Sequence, residues 1–507
     1  MIERRNEVAV PLALGAVVTL LHILTAQRYG VFRDELYYLA CGEHLGFGYV
    51  DQPPMIGYIA WISRQLFGES LTGLRVLPAV AAGQTVVVTA LIARELGGGR
   101  LAQVFGGVAA ALAPVYVGLF GVLSMNAFDV LFWAAALLVL VHLLRTRDLR
   151  WWLAFGVITG LGLLNKISMA FLGAGVVVGL VVSRDWRHFR SRWLWLGGVI
   201  AFLLFLPHLI WQAAHAWPTF EFIYNATQFK NLPLSPLQFL REQVLQMNPF
   251  ALPLLLAGLL LLLILPQGRP YRPVGWAFVA VLLLLITNRS KPYYLAAAYT
   301  PLMAAGGVVW ARLATHRRLA WSRHAALLIL IGTGLMLAPM AKPVLPVETF
   351  VAYSSALGLS PSTSERHELG RLPQFFADRF GWPELAQAVA DVYDALPPED
   401  QARACVFGQN YGQAGAIDFF GPALGLPTAL CAHNSYWLWG PQECTGEVLI
   451  VIGGNRERLQ GRFESVEHAA QFTCQDCMPY ENNKPIWVCR GMHLPIEQMW
   501  QQIRHFD

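Results

Sequence analysis

The sequence predicts a polytopic α-helical membrane protein followed by a small α/β domain outside the bilayer. Three observations carry that prediction. Charged residues make up 14% of the 507-residue chain and hydrophobic ones 55%, with a mean hydropathy of +0.45. An ordinary soluble protein holds about 25% charge. Apolar runs of spanning length recur through the first two thirds of the chain. Beyond about residue 342 the composition turns polar, mixed and punctuated by Pro and Gly.

A helical span needs about 20 apolar residues. Eleven stretches qualify, at about 8–27, 74–96, 100–121, 127–145, 151–165, 168–184, 193–212, 249–266, 273–288, 292–311 and 323–341, with thirteen as an upper bound. The first follows Met1-Ile2-Glu3-Arg4-Arg5, and no small-residue cleavage site comes after it, so it reads as a retained anchor. Residues 54–67 are apolar but short and carry Arg64 and Gln65, which predicts an interfacial helix.

Cations orient the chain, because loops on the cytoplasmic side hold an excess of Arg and Lys. Alternate loops contain Arg94 and Arg100; Arg145, Arg147 and Arg150; Arg184, Arg187, Arg190 and Arg192; Arg269 and Arg272; and Arg312, Arg317, Arg318 and Arg323. The loops between these sets carry few. The N-terminus is therefore expected in the cytoplasm and the tail outside. The expected division is a membrane domain over 1–341 and an extracytoplasmic domain over 342–507. Those basic loops account for the net charge of +5 and the pI near 8.8, so nothing calls for a nucleic-acid partner.

In the tail, Val389–Leu396 reads as helix, and Ala404–Phe407 and Val448–Ile452 read as buried strands separated by Gly-containing turns, an α/β order. Six of the seven cysteines lie there: Cys405, Cys431, Cys444, Cys474, Cys477 and Cys489. In an exported domain they suggest up to three disulfides, with metal binding or redox work as alternatives for the pair Cys474 and Cys477. Cys41 lies in the first outside loop.

The polar residues of the membrane portion collect on the predicted outside. Arg33, Asp34, Glu35, Tyr37, Tyr38, Asp51 and Gln52 occupy the first loop. Asn126 and Asp129 open the fourth span, Lys166 lies between the fifth and sixth, and Arg289, Lys291, Tyr293 and Tyr294 precede the tenth. Ionisable groups at membrane depth are costly and point to function. The chemistry that fits is group transfer from a lipid phosphate. A carboxylate takes a proton from the acceptor, and Arg and Lys hold the departing phosphate. Each residue also has a plainer role: Glu35 and Asp129 at helix starts, Asp51 in a turn before Pro53-Pro54, the lysines snorkelling. His208 and His215 flank a span end, but no metal-ligand motif surrounds them. There is no internal repeat and no Gly-rich phosphate loop.

At these residues the chain resembles a known group. The run Arg33-Asp34-Glu35-Leu36-Tyr37-Tyr38-Leu39-Ala40, then Gly48-Tyr49-Val50-Asp51-Gln52-Pro53-Pro54, Leu66-Phe67-Gly68 and Leu74-Arg75-Val76-Leu77-Pro78, is similar to the first outside loop of bacterial family 39-type glycosyltransferases. These are GT-C fold relatives of the protein O-mannosyltransferases and of the lipid A aminoarabinose transferase. Asn165-Lys166 and Ser290-Lys291-Pro292-Tyr293-Tyr294-Leu295 resemble later motifs of the group. The resemblance implies a GT-C fold and an inverting glycosyltransferase of the plasma (inner) membrane with its tail domain periplasmic. It implies a polyprenyl-phosphate sugar donor and a lipid, glycan or protein acceptor. Asp34 is then the base, Asp129 and Glu35 are further catalytic acids, and Arg33, Tyr37, Tyr38, Asp51, Gln52, Lys166, Arg289, Lys291, Tyr293 and Tyr294 contact substrate. No cofactor is required, and a divalent metal has no ligand motif behind it. One departure stands out: aminoarabinose transferases carry a lysine where this chain has Gln52. The competing reading is a transporter of a lipid-linked sugar, which would be expected to place charges on both sides of the midplane and to carry an internal repeat.

Overall fold

The computed structural model describes residues 2–313, 320–363 and 365–507, so Arg317 and Arg318 lie outside the described residues. The chain packs into two compact units. One comprises the residues up to Arg28, Leu66–Ile210 and Pro233–Pro346; the other comprises Tyr29–Gln65, Trp211–Leu232 and Val347–Asp507.

The first unit is helical, and all eleven apolar stretches fall on helix. Among the described residues, five helices are long and apolar enough to cross a bilayer alone: Leu71–Glu95, Met125–Thr146, Arg192–Ala214, Pro266–Thr287 and Ser322–Ala341. Two bent pairs raise the number to seven, Pro236–Gln246 with Pro249–Leu263 at 92° and Pro292–Ala298 with Thr300–Leu313 at 57°. The other expected spans are shorter. Val8–Leu24, Trp151–Asn165 and Met169–Val182 are apolar helices below that length. The 100–121 stretch breaks into Arg100–Ala111 and Pro114–Leu119. Pro114 causes this break: it forces Ala113 into extended backbone (φ −67°, ψ 120°) and starts a new helix.

Helices in the first unit approach one another through glycine. A Cβ built on Gly258 would lie 2.0 Å from the Leu302 carbonyl oxygen, and one on Gly306 would lie 2.1 Å from that of Leu254. Helices Leu252–Leu263 and Thr300–Leu313 therefore touch backbone to backbone. In a lipid-facing protein, where the hydrophobic effect does not drive helices together, such contact supplies the van der Waals cohesion.

The second unit holds a five-stranded sheet, β1 Ala404–Gly408, β2 Ala429–Cys431, β3 Val448–Ile452, β4 Phe463–Phe472 and β5 Lys484–Met492, in the order β2-β1-β3-β5-β4. β1 runs parallel to β2 and β3, while β5 is antiparallel to β3 and β4. β1 and β3 are the two strands expected from their apolar runs, and β3 is buried at every residue. The expected helix at 389–396 is Trp382–Asp394. The same unit contains helices Arg33–Glu43 and Pro218–Asn225 and most of Met55–Phe67, the short apolar helix predicted over 54–67.

Where up to three disulfides were expected, the described residues form one, Cys405–Cys444. Cys431 and Cys489 are committed to the sheet interior on β2 and β5, and Cys474 and Cys477 are neighbouring free thiols. The bridge closes a separation of 39 residues, worth about 4 kcal/mol on the chain-entropy account.

Gly258→Val drives two γ-methyl groups into the facing backbone. The variant is expected to lose the single monodisperse species of the wild type when extracted in mild detergent and run on size exclusion. A wild-type profile would mean that the close crossing is dispensable.

Candidate active site

Candidate groups gather in each unit, and each cluster is built by its own local packing. In the second unit, helix Arg33–Glu43 begins just after Gly30 (φ 96°). Its first turn is held by Glu35, whose carboxylate accepts from the Phe32 N–H at 2.8 Å. Glu35 is completely buried. The plainer of its two expected roles, at the helix start, is the one the geometry displays.

Asp34, one residue earlier, keeps its side chain 34% exposed. Its Oδ1 accepts from the Tyr411 hydroxyl at 2.9 Å. Tyr411 comes from the tail. Asn410 ends β1's turn and caps helix Tyr411–Phe420, its Oδ1 accepting from the N–H groups of Gly412 and Gln413 at 2.9 and 3.0 Å. That helix then lies directly on helix Arg33–Glu43. A Cβ on Gly412 would meet Arg33 Cγ at 2.6 Å, and one on Gly415 would meet Leu36 Cβ at 2.9 Å.

Arg33 is buried beneath Asp34. Its guanidinium donates to the Tyr480 hydroxyl, lies 3.9 Å from Asp378 and 3.7 Å from Asp34, and stacks over the Tyr411 ring at 5.2 Å. Tyr480 in turn donates to Asp378 at 3.1 Å. Burial disfavours the Arg33 cation, but Asp378, Tyr411, Tyr480 and Asp34 together hold it protonated. Burial also pushes the Asp378 carboxyl up to about 6, against the pull of Arg33.

Tyr37 and Asp51 form the next layer. The Tyr37 hydroxyl donates to Asp51 Oδ1 at 2.7 Å and sits 2.8 Å from Ser435 Oγ, which itself accepts from the Val50 N–H at 3.0 Å. Tyr37 packs on Tyr411 with ring centroids 4.8 Å apart. Burial raises the Asp51 carboxyl to about 6, and the Tyr37 hydrogen bond opposes that rise. Gln52 is fully buried, with its amide turned towards the Cys41 sulfur at 3.8 Å, and Tyr38 is buried as well.

In the first unit, Asp129 lies just past the first turn of Met125–Thr146, and both of its oxygens accept from the Ser168 hydroxyl at 2.8 Å. Lys166 Nζ donates to Asn126 Oδ1 at 2.7 Å, lies 3.8 Å from Asp129 and stands 4.1 Å above the Tyr294 ring. Tyr293 is 5.8 Å from the same ammonium. Arg289 is exposed and Lys291 half-buried at the turn before Pro292.

The motif reading missed Tyr411, Asp378, Tyr480, Ser435 and Ser168. Each is brought in by tertiary packing from far along the chain or by a short polar step after a span. The Asn410-Tyr411-Gly412 cap after a predicted strand was the one visible cue. His433, His505 and Asp507 have ligand atoms within 4.8 Å of one another. The two imidazoles stack at 4.5 Å and 24°, so a metal in the plane of one lies off the plane of the other. His433 Nε2 is instead turned to Asp507, 3.0 Å from its Oδ1.

Residues 51–211 match the family described as dolichyl-phosphate-mannose-protein mannosyltransferase. An undecaprenyl phosphate-α-4-amino-4-deoxy-L-arabinose arabinosyl transferase of Pseudomonas fluorescens is 29% identical over 181 residues, 33% of this chain and 32% of that protein. The lipopolysaccharide core galacturonosyltransferase RgtA of Rhizobium johnstonii is 24% identical over 182 residues, 35% of this chain and 36% of its own. The matched stretch thus spans about a third of each curated relative. The crystal structure of ArnT from Cupriavidus metallidurans bound to undecaprenyl phosphate superposes with a TM-score of 0.62 at 17% identity, covering 94% of this chain and 97% of that one. The fold is therefore the GT-C fold that the first-loop motifs implied.

The raised Asp51 carboxyl has a consequence for stability. Its ordinary value is 3.8 and its native value about 6, so between those values the folded chain holds a proton that the unfolded chain has released. The contribution is complete below the lower value and is lost as pH rises through the upper one. Asp51→Asn should flatten the fall of the melting temperature between pH 4 and 6.5 in a thermal scan. An unchanged slope would show that the carboxyl titrates normally.

Proposed function

We propose that this chain is an integral membrane glycosyltransferase that moves a sugar from a polyprenyl-phosphate donor to an acceptor at the outer face of the plasma membrane. The observation that carries this reading is Asp34. It is a half-exposed carboxylate on a motif-bearing first-loop helix, in a fold that matches, along nearly its whole length, a structure bound to undecaprenyl phosphate.

Asp34 takes the proton of the acceptor hydroxyl or amine as that atom attacks the anomeric carbon. The bond from that carbon to the phosphate oxygen breaks, and polyprenyl phosphate leaves with the negative charge. Tyr411 fixes the carboxylate by donating to Oδ1, leaving Oδ2 for the acceptor. Arg33 lies 3.7 Å from the same carboxylate and places a positive charge beside it. Lys166, with Tyr293 and Tyr294 about it, is the candidate phosphate contact of the membrane unit, and Arg289 and Lys291 are further candidates. Asp129 positions that lysine, and Asp51 with Tyr37 shapes the donor side of the first loop. Gln52, where aminoarabinose transferases carry lysine, argues for a donor headgroup held differently from theirs. The orientation follows the cation distribution, with the N-terminus cytoplasmic and the second unit periplasmic.

Purified protein in lipid, supplied with a panel of polyprenyl-phosphate sugars and a membrane extract as acceptor source, is expected to release free polyprenyl phosphate from one of them. Asp34→Asn should abolish release while leaving the fold intact. Equal turnover by that variant sinks the assignment of the base. Loss of a hydrogen bond to a charged group costs about 1.5 kcal/mol or more. Tyr411→Phe should therefore slow turnover by about tenfold or more with little change in donor KM, and an effect confined to KM would place Tyr411 in binding instead.

A further inference from the structure

The loop between β4 and β5 carries Cys474-Gln475-Asp476-Cys477 and, three residues on, Tyr480. We propose that Cys474 and Cys477 form a redox-active dithiol, with Cys474 as the attacking sulfur, and that its oxidation state sets how Tyr480 meets Arg33.

The two sulfurs share one turn but not one environment. Cys474 is half-buried and Cys477 buried; every other free cysteine among the described residues is buried. The Cys477 N–H donates to Cys474 Sγ at 3.2 Å, and the Cys477 thiol lies 3.2 Å from the Cys474 carbonyl oxygen. An N–H aimed at sulfur favours thiolate, whereas a thiol giving its hydrogen to a carbonyl is held as thiol. The titration directions agree: the hydrogen bond from Cys477 draws Cys474 down against its burial, while Cys477 is driven up. Gly381 packs against the Cys474 sulfur, where a Cβ would come within 3.0 Å of Sγ, so glycine there leaves the sulfur its space.

The partner is a disulfide, of a protein or a small thiol. The Cys474 thiolate attacks one of its sulfurs, the partner's S–S bond breaks, and one thiolate leaves and takes up a proton. Cys477 then gives up its proton and attacks Cys474, expelling the second thiol. Two thiols here become one disulfide, and one disulfide becomes two thiols.

The turn is tied to Arg33. The Cys474 N–H donates to Asn482 Oδ1 at 2.8 Å, closing the loop at its base, and Asp476 pairs with Arg371 at 2.7 Å. Between these anchors Tyr480 receives the Arg33 hydrogen bond and donates to Asp378. Oxidation removes the hydrogen that Cys477 gives to the Cys474 carbonyl and draws the sulfurs together, so the turn feeding Tyr480 changes shape.

The full chain in detergent, equilibrated across glutathione to glutathione-disulfide ratios, alkylated and digested, tests the thiol chemistry without reference to activity. The expected result is reversible loss of two hydrogens from the peptide holding both cysteines within that range. A glutathione adduct should form on Cys474 in Cys477→Ser about tenfold faster than on Cys477 in Cys474→Ser. A pair that stays bonded, or stays as thiols, at every ratio overturns the proposal, as does an adduct formed faster on Cys477. The link to Tyr480 rests on the transfer reaction proposed above. Donor release by oxidised and reduced enzyme should differ by at least about twofold, and Tyr480→Phe should remove the difference. Equal rates with a working dithiol would overturn that link alone, and no release from either form would count against the transfer reaction while leaving the thiol result standing.

Discussion

The second unit is organised by one close contact, the lie of helix Tyr411–Phe420 on helix Arg33–Glu43. Gly412 and Gly415 remove the side chains that would separate them, and the Arg33 and Leu36 side chains fill the gap. Everything near Asp34 follows from that approach. It brings the Tyr411 hydroxyl to the carboxylate, stacks its ring on Tyr37 and lays it across the Arg33 guanidinium. A single Cβ at Gly412 would push Arg33 aside and uncouple all three. The tail is thus more than an appendage to a first-loop motif, because it completes the surroundings of that motif's acid.

Arg33 stands between two carboxylates of different exposure, Asp34 and the buried Asp378. A buried guanidinium left unpaired costs several kcal/mol, so the fold must surround it with acceptors. Asp378 supplies a buried one and Tyr480 a neutral one, both on the tail side. Asp34, at 3.7 Å and out of hydrogen-bond range, adds the weakest of these contributions and stays partly exposed. It feels the positive field and remains open to solvent.

The membrane helices were legible because lipid imposes a composition that hydropathy reports directly. The break at Pro114 was equally visible as chemistry but was outvoted by the apolar run around it. β1 and β3 were legible as buried strands, whereas β4 was not: it is an exposed edge strand with little apolar signal. In the site, Arg33, Asp34, Tyr37 and Asp51 came from local motif, and Asp129 with Lys166 from charge at membrane depth. Tyr411, Asp378, Tyr480 and Ser435 lie more than 300 residues from the helix they serve, and no local pattern encodes such a meeting. Glu35 and Gln52 share the motif but point inward, one to a cap and one to the Cys41 sulfur. Adjacency in sequence to a functional acid does not imply the same side of the helix or turn.

In the membrane-unit cluster, Lys166 and Asp129 lie near one another without closing to hydrogen-bond distance. An ammonium has three N–H donors. Asn126 takes one at 2.7 Å, and Asp129, at 3.8 Å, is too distant to take another. Ser168 donates to the Asp129 carboxylate instead, and the Tyr294 face supplies cation–π stabilisation of about 0.5–2 kcal/mol without occupying a donor. The lysine is therefore flanked by an anion 3.8 Å away and by an aromatic face. Ser168, rather than the lysine, therefore satisfies both Asp129 oxygens, and the ammonium keeps its position through Asn126 and the Tyr294 face.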